Sequence, residues 1–176
     1  MNLARSLVLV LAAAGPAGQA ELPEYVLKAG FLFNFAKYVE WPDTAFNGPD
    51  DPLVIAVVGK DPFGDDLDRS LRGKTVKGRT IRIARYGSVS EIRNAHILFV
   101  PRTEAGKTDE IVQKLRTRPV LLVGEAPAFC REGGAINILV REGQPRLEAN
   151  PEAAARARLT IDAKLLRAAT VVREDP

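Results

Sequence analysis

The middle of the chain alternates between short apolar runs and segments of helical periodicity. Leu53 to Val58 is almost continuously apolar and rich in β-branched residues, as in a strand covered on both faces, and Gly59 closes it. His96 to Val100 and Val120 to Val123 have the same character. Arg79 to Arg85 alternates instead, with Ile81 and Ile83 on one side and Arg82 on the other, which predicts a strand with one wetter face. Three candidate helices lie between these runs. One is capped by Asp61, has Pro62 at its first position and turns Leu67 and Leu71 inward. A short one covers Ser90 to Asn94, and a third covers Thr108 to Arg116 with Ile111, Val112 and Leu115 on its apolar side. Strands joined through crossover helices pair in parallel, so the pattern predicts an α/β domain with a mainly parallel sheet and helices on both of its faces.

The two ends differ from this middle. Pro23 to Trp41 reads as a helix, with Pro23 tolerated in the first turn and Pro42 ending it. Leu27, Phe31, Phe35 and Tyr38 share one stripe, Val26 and Phe33 a second, and Trp41 lies beside Asn34 on a third. A helix apolar nearly all round needs cover on more than one side, either from the domain's own C-terminal helices or from a second polypeptide. Asp43 to Pro52 is a loop. Beyond Gly124, Ala135 to Arg141 and Arg146 to Ala149 read as an antiparallel edge hairpin turning at Gly143 and Pro145. Asn150 and Pro151 then open two short helices that meet near Thr160, whose Leu165, Leu166, Ala168 and Ala169 pack on the sheet or on the first helix.

The 176 residues, 46% hydrophobic and 27% charged, fit one globular domain. The 25 Lys and Arg interleave with 22 Asp and Glu, so no basic stripe forms and no nucleic-acid partner is expected. Met1 to Ala20 carries Arg5, an apolar run from Leu7 to Ala14, a helix-breaking Gly15-Pro16 and small residues at Gly18 and Ala20. That is the order of a secretory signal peptide, and the run is too short to span a bilayer. The expectation is a soluble exported domain over residues 21–176 that inserts into no membrane.

Few side chains invite chemistry. Gly59 to Gly64 follows a strand as a phosphate loop does, but Asp65 and Asp66 stand where Lys and Ser or Thr are required, so a capped structural turn is expected. His96 is the one histidine, which removes the His pair of common zinc sites and leaves a core or strand-end role. Cys130 is also alone; it reads as a half-buried small hydrophobe, with an intermolecular or reactive thiol as the alternative. Asp50, Asp51, Asp65, Asp66 and Asp68 are accounted for by solvation, capping and helix dipoles. Gly133-Gly134 supplies positive φ at a turn. Asn34, polar among aromatics, reads as bonding a neighbouring backbone group, with contact to a partner or small ligand left open. No cofactor, metal site or catalytic set is expected.

The order of motifs carries a resemblance. Lys28 to Pro42 (KAGFLFNFAKYVEWP), Gly59 to Gly64 (GKDPFG), His96 to Val100 (HILFV), Gly133 to Ile136 (GGAI), Arg146 to Asn150 (RLEAN) and Ala153 to Leu166 together resemble the YfiR family of periplasmic proteins, over essentially the whole mature chain. The resemblance implies a Rossmann-like α/β sandwich without enzymatic activity. Such a protein would bind the periplasmic sensor portion of a membrane-bound diguanylate cyclase, lowering cyclic-di-GMP output and biofilm formation. Candidate partner-binding residues are Tyr38, Glu40 and Trp41 at the end of the first helix, and Arg146, Glu148 and Asn150 on the hairpin. A homodimer through the aromatic helix is a further expectation. The alternative is a periplasmic ligand-sensing or accessory module for a sensor histidine kinase or an outer-membrane transport system. Some family members carry a cysteine pair across the Gly-Gly turn; here Asn137 stands where the partner of Cys130 would be, so a disulfide switch is not expected.

Overall fold

The computed structural model describes residues 23–175, so the expected signal segment lies outside the described residues. In chain order the regular elements begin with α1 (Glu24–Tyr38), β1 (Val39–Glu40), β2 (Leu53–Val58), α2 (Asp66–Leu71), β3 (Thr75–Val76) and β4 (Arg79–Tyr86). They continue with β5 (Ile97–Val100), α3 (Thr108–Leu115), β6 (Leu121–Gly124), β7 (Ile136–Arg141) and β8 (Gln144–Ala149). The chain closes with α4 (Pro151–Arg156), β9 (Thr160–Ile161), α5 (Ala163–Ala168) and β10 (Thr170–Val171). Eight strands form one sheet in the order β10-β8-β7-β6-β5-β2-β4-β3, and β1 with β9 forms a separate antiparallel pair. The run from β7 to β4 is parallel throughout, with β8 and β3 antiparallel to their inner neighbours.

The central strands are apolar on both faces because both are covered. Leu53, Ile55 and Val57 of β2 join Leu32, Phe35 and Ala36 of α1, Leu67 and Leu71 of α2, Ala153 and Ala154 of α4, and Leu165 of α5 in one core. Ala56 and Val58 turn the other way, into a second core with Ile111, Val112 and Leu115 of α3 and with Phe129. The period-two alternation of one strand thus separates two helical layers about a central sheet. This is the Rossmann-like three-layer sandwich.

Several local readings are corrected. The first helix stops at Tyr38 rather than Trp41: Val39 is extended, at φ −111° and ψ 143°, because Val39 and Glu40 pair with Ile161 and Thr160. Its deepest stripe is Lys28, Ala29, Leu32, Phe35 and Ala36, while Leu27, Phe31 and Tyr38 stay half-buried and Asn34 is exposed. Cover comes from the chain's own α2 and α5 as well as the sheet. Asp61 does not cap a helix; it accepts from the Phe63 N–H at 2.8 Å to close a turn, and α2 begins only at Asp66, after Gly64 at φ +54°. Ser90 to Asn94 is reduced to a single 3-10 turn over Val89–Glu91.

The expected hairpin is present, but β8 starts two residues earlier, at Gln144, and is not the edge along its whole length, since β10 adds to it at Glu148 and Ala149. Its two-residue turn, Glu142 and Gly143, has φ of 52° and 71°, the left-handed pair that suits the twist of the flanking strands. Lys77 and Gly78 do the same, at 50° and 79°, between β3 and β4, a hairpin absent from the sequence reading. The final helices are separated by β9 rather than meeting directly.

Candidate functional site

The aromatic end of α1 is built around His96. This residue is 2% exposed, stands just before β5, and is held by backbone groups on both ring nitrogens. The Val54 N–H donates to Nδ1 at 2.9 Å, so Nε2 carries the proton and donates to the Ala45 carbonyl at 2.9 Å. Burial lowers its pKa from the ordinary value, because a cation here would lose solvation and one of its two bonds. Phe46 stacks on the imidazole at 4.3 Å between centroids, and Trp41 meets it edge-on at 6.5 Å. The Trp41 indole N–H donates to the His96 carbonyl at 3.2 Å. Arg79 lies 3.8 Å over the far face of Phe46 and donates to the carbonyls of Gly48, Pro49 and Asp51.

This layered stack turns the loop after Trp41 into a wall. Between it and the β3–β4 hairpin lies a cleft of about 240 Å³ lined by Glu40, Trp41, Phe46 and Arg79. Lys77 closes its rim by donating to the Val39 carbonyl at 3.0 Å. Glu40 is exposed, and Tyr38 and Trp41 are half-buried. The outward face of α1 is less bare than its aromatic content suggests. Lys74 and Lys37 lie 4.9 Å and 5.4 Å from the Phe33 ring centroid, so a copy of the chain seated there would meet ammonium groups over the aromatic surface.

The hairpin residues sit elsewhere. Strands β7, β6 and β5 separate β8 from β2, so the structure does not gather the six expected residues into one patch. Arg146 is exposed; Glu148 is half-buried and accepts from the Asn137 amide at 3.0 Å. Asn150 is fully buried. Its Oδ1 accepts from the Ala153 N–H at 3.0 Å as the cap of α4, and its Nδ2 donates to the Cys130 carbonyl at 2.9 Å. Both ends of that side chain are consumed inside the fold, and the surface is left to Arg146 and the outer part of Glu148.

A charged cluster that sequence reasoning missed lies at the opposite end of α1. Lys28 is fully buried and ion-paired with both Glu125 and Glu24. Glu125, 1% exposed, directly follows β6 and accepts from the Tyr25 hydroxyl at 3.3 Å and from the Arg102 N–H at 2.9 Å. Burial, then the Glu125 and Glu24 charges, push the Tyr25 hydroxyl up to about 12, which keeps it a neutral donor. The signal available in the sequence was Lys28 itself. Four residues before Leu32 and seven before Phe35, it occupies the inward stripe, and a lysine there requires a carboxylate.

The family model described as YfiR/HmsC-like matches residues 25–170. The chain belongs to the YfiR/HmsC-like family. At the level of this family the function is that of a periplasmic regulator of diguanylate cyclase, a regulatory rather than catalytic role. No curated protein matches the chain. Among the described residues no helix is long and apolar enough to cross a membrane, and no group of three or more His, Cys, Asp or Glu is placed to hold a metal ion.

Against the YfiR/HmsC-like background, the region around Cys130 is plain. The thiol is fully buried rather than half-buried, and burial, with the Glu148 charge, raises its pKa well above the ordinary value, so it does not present a thiolate. Asn137 is buried with its amide nitrogen on the Ala126 carbonyl at 2.9 Å and on Glu148, and its Oδ1 has no partner among the described residues. Gly133 has φ +99°, as the turn required. Gly134 serves a different need: a Cβ there would run into the Phe129 ring that seals the second core.

Proposed function

We propose that this protein binds the periplasmic sensor portion of a membrane-bound diguanylate cyclase and holds the cyclase in its less active state, lowering cyclic-di-GMP and biofilm formation. The observation that carries this reading is the match to the YfiR/HmsC-like family over residues 25–170. The surface supports it. At the α1 terminus an exposed carboxylate, Glu40, borders half-buried Tyr38 and Trp41, the combination of aromatic anchors and a charged rim found in protein interfaces. The His96 and Arg79 stack holds that edge rigid before any partner arrives, which reduces the ordering cost of association. Tyr38, Glu40 and Trp41 form the primary contact in this proposal, and Arg146 with Glu148 a separate, secondary one.

The test is binding of the purified mature chain to the purified periplasmic portion of the cognate cyclase. Glu40→Lys reverses an exposed charge without touching the core and is expected to weaken binding by about tenfold or more. Arg146→Glu is expected to have a smaller effect. Equal binding by wild type and Glu40→Lys would remove the α1 terminus from the interface, and no binding by wild type would remove the proposal.

A further inference from the structure

The chain runs from β2 to β4 on one side of the sheet, then returns past β2 to place β5 on the other. Neighbouring strands β2 and β5 therefore send their following loops in opposite directions, which opens a crevice at their carboxyl ends, the position where open α/β sheets take ligands. Here that crevice has a volume of about 360 Å³ and is lined by Lys60 and Pro62 after β2, Pro101, Arg102 and Thr103 after β5, and Tyr25 with Glu24 and Glu125. The volume suits a small metabolite, not a dinucleotide.

Its charges are not balanced. Glu24 and Glu125 are both engaged by buried Lys28, and Glu125 also accepts from Tyr25 and from the Arg102 backbone. Lys60 and Arg102 are exposed at the mouth, and neither side chain has a carboxylate partner among the described residues. Among the described residues the guanidinium is oriented only by a 3.4 Å bond from Nη2 to the Glu125 carbonyl, and its other donors have no partner there. Pro62, Pro101 and the Tyr25 ring provide apolar walls beside these two cations. Tyr25 is itself fixed edge-on against Phe63 at 5.3 Å, and Phe63 against Phe99 at 4.8 Å.

We infer that this crevice is a binding site for a small organic anion, a carboxylate or phosphate on a flat apolar body. The anionic group sits between Lys60 and Arg102, and the apolar body lies against Pro62, Pro101 and Tyr25. Buried Lys28 and Glu125, with half-buried Tyr25, form the floor and give Arg102 its position. This site is distinct from the Trp41 cleft, which lies at the other end of α1, and it requires no assumption about the cyclase.

Phenyl phosphate and benzoate are suitable probes, each titrated into the isotope-labelled mature chain while the amides of Lys60, Thr103 and Glu125 are followed by NMR. One or both probes are expected to give saturable shifts at these amides below roughly 10 mM, and which binds tighter distinguishes a phosphate from a carboxylate site. The doubly substituted Lys60→Gln, Arg102→Gln chain is expected to bind at least about tenfold more weakly, and the charge-retaining Lys60→Arg, Arg102→Lys chain to keep binding. Benzylamine, of the same shape and opposite charge, is expected to give no saturable shift. The inference is overturned by absence of saturable shifts with both anions, by unchanged binding in the Gln variant, or by benzylamine binding equally well.

Discussion

Lys28 is the residue on which most of the buried electrostatics converge. Its ammonium, fully buried, is stabilised by two carboxylates, and removing it would strand Glu125 inside the protein. Lys28→Met is therefore expected to lower unfolding stability by about 3 to 5 kcal/mol in urea titration. Adding Glu125→Gln, which removes the stranded charge, is expected to restore a large part of the loss. If the two losses simply add, the pair is not coupled. Asn150 is expected to be nearly as sensitive: Asn150→Ala removes the α4 cap and strips the Cys130 carbonyl of its donor, a loss of about 1 to 3 kcal/mol.

His96 gives the fold a pH dependence of fixed sign. Its folded pKa is lowered by burial, so below the unfolded value of 6.5 the unfolded chain binds the proton and the folded chain resists it. The stability associated with neutral His96 is complete above that value and is lost as pH falls from 6.5 toward the lowered folded pKa. Comparing the pH profiles of wild type and His96→Gln by urea unfolding isolates the effect, and the wild type is expected to show the steeper fall on acidification.

Among the elements, the long apolar ones were legible and the short ones were not. Strands β2, β5 and β6 announce themselves because burial on both faces demands uninterrupted apolar residues. The two-residue strands β1, β9, β3 and β10 have no such signature, since each exists only through a partner distant in sequence or across a tight turn. The same locality explains why the sequence did not single out one inward face of α1. Three apolar stripes made the helix apolar nearly all round, and close packing on α2 and the sheet selected Ala29, Leu32, Phe35 and Ala36. Glu125, 97 residues from Lys28, could not be paired with it from sequence spacing. The Trp41 edge was legible as aromatic surface, but its support by His96, Phe46 and Arg79 was not.

Two glycines test this packing in opposite directions. Gly30 lies exposed in the middle of α1 with open space around the position of a Cβ, so Gly30→Ala is expected to stabilise the protein by about 0.5 to 1 kcal/mol. Gly134→Ala would press a methyl group against Phe129 and is expected to destabilise by about 1 to 3 kcal/mol. Thermal unfolding of the two variants beside wild type reads both effects, and a shared sign would contradict the packing described.

At the scale of the molecule, a Rossmann-like sandwich carries a family match to regulators. The place where relatives of this architecture seat a dinucleotide is narrowed by Tyr25, Lys28 and Glu125, and the turn after β2 carries Asp61, closed on the Phe63 N–H and paired with Arg85 at 2.6 Å, where a phosphate loop would present free donors. The opposite end of α1 offers Glu40 and Trp41 on a braced edge. A YfiR/HmsC-like regulator is expected to act through such an edge, with its output read in the cyclase it touches.

The most direct measurement is cellular cyclic-di-GMP in a strain that retains the cognate cyclase, compared with and without this protein. Deletion is expected to raise the nucleotide, wild-type chain supplied in trans to restore the lower level, and Glu40→Lys, exported at equal abundance, to leave it high. A level unchanged by deletion would contradict the regulatory role, and full restoration by Glu40→Lys would contradict the assignment of its surface.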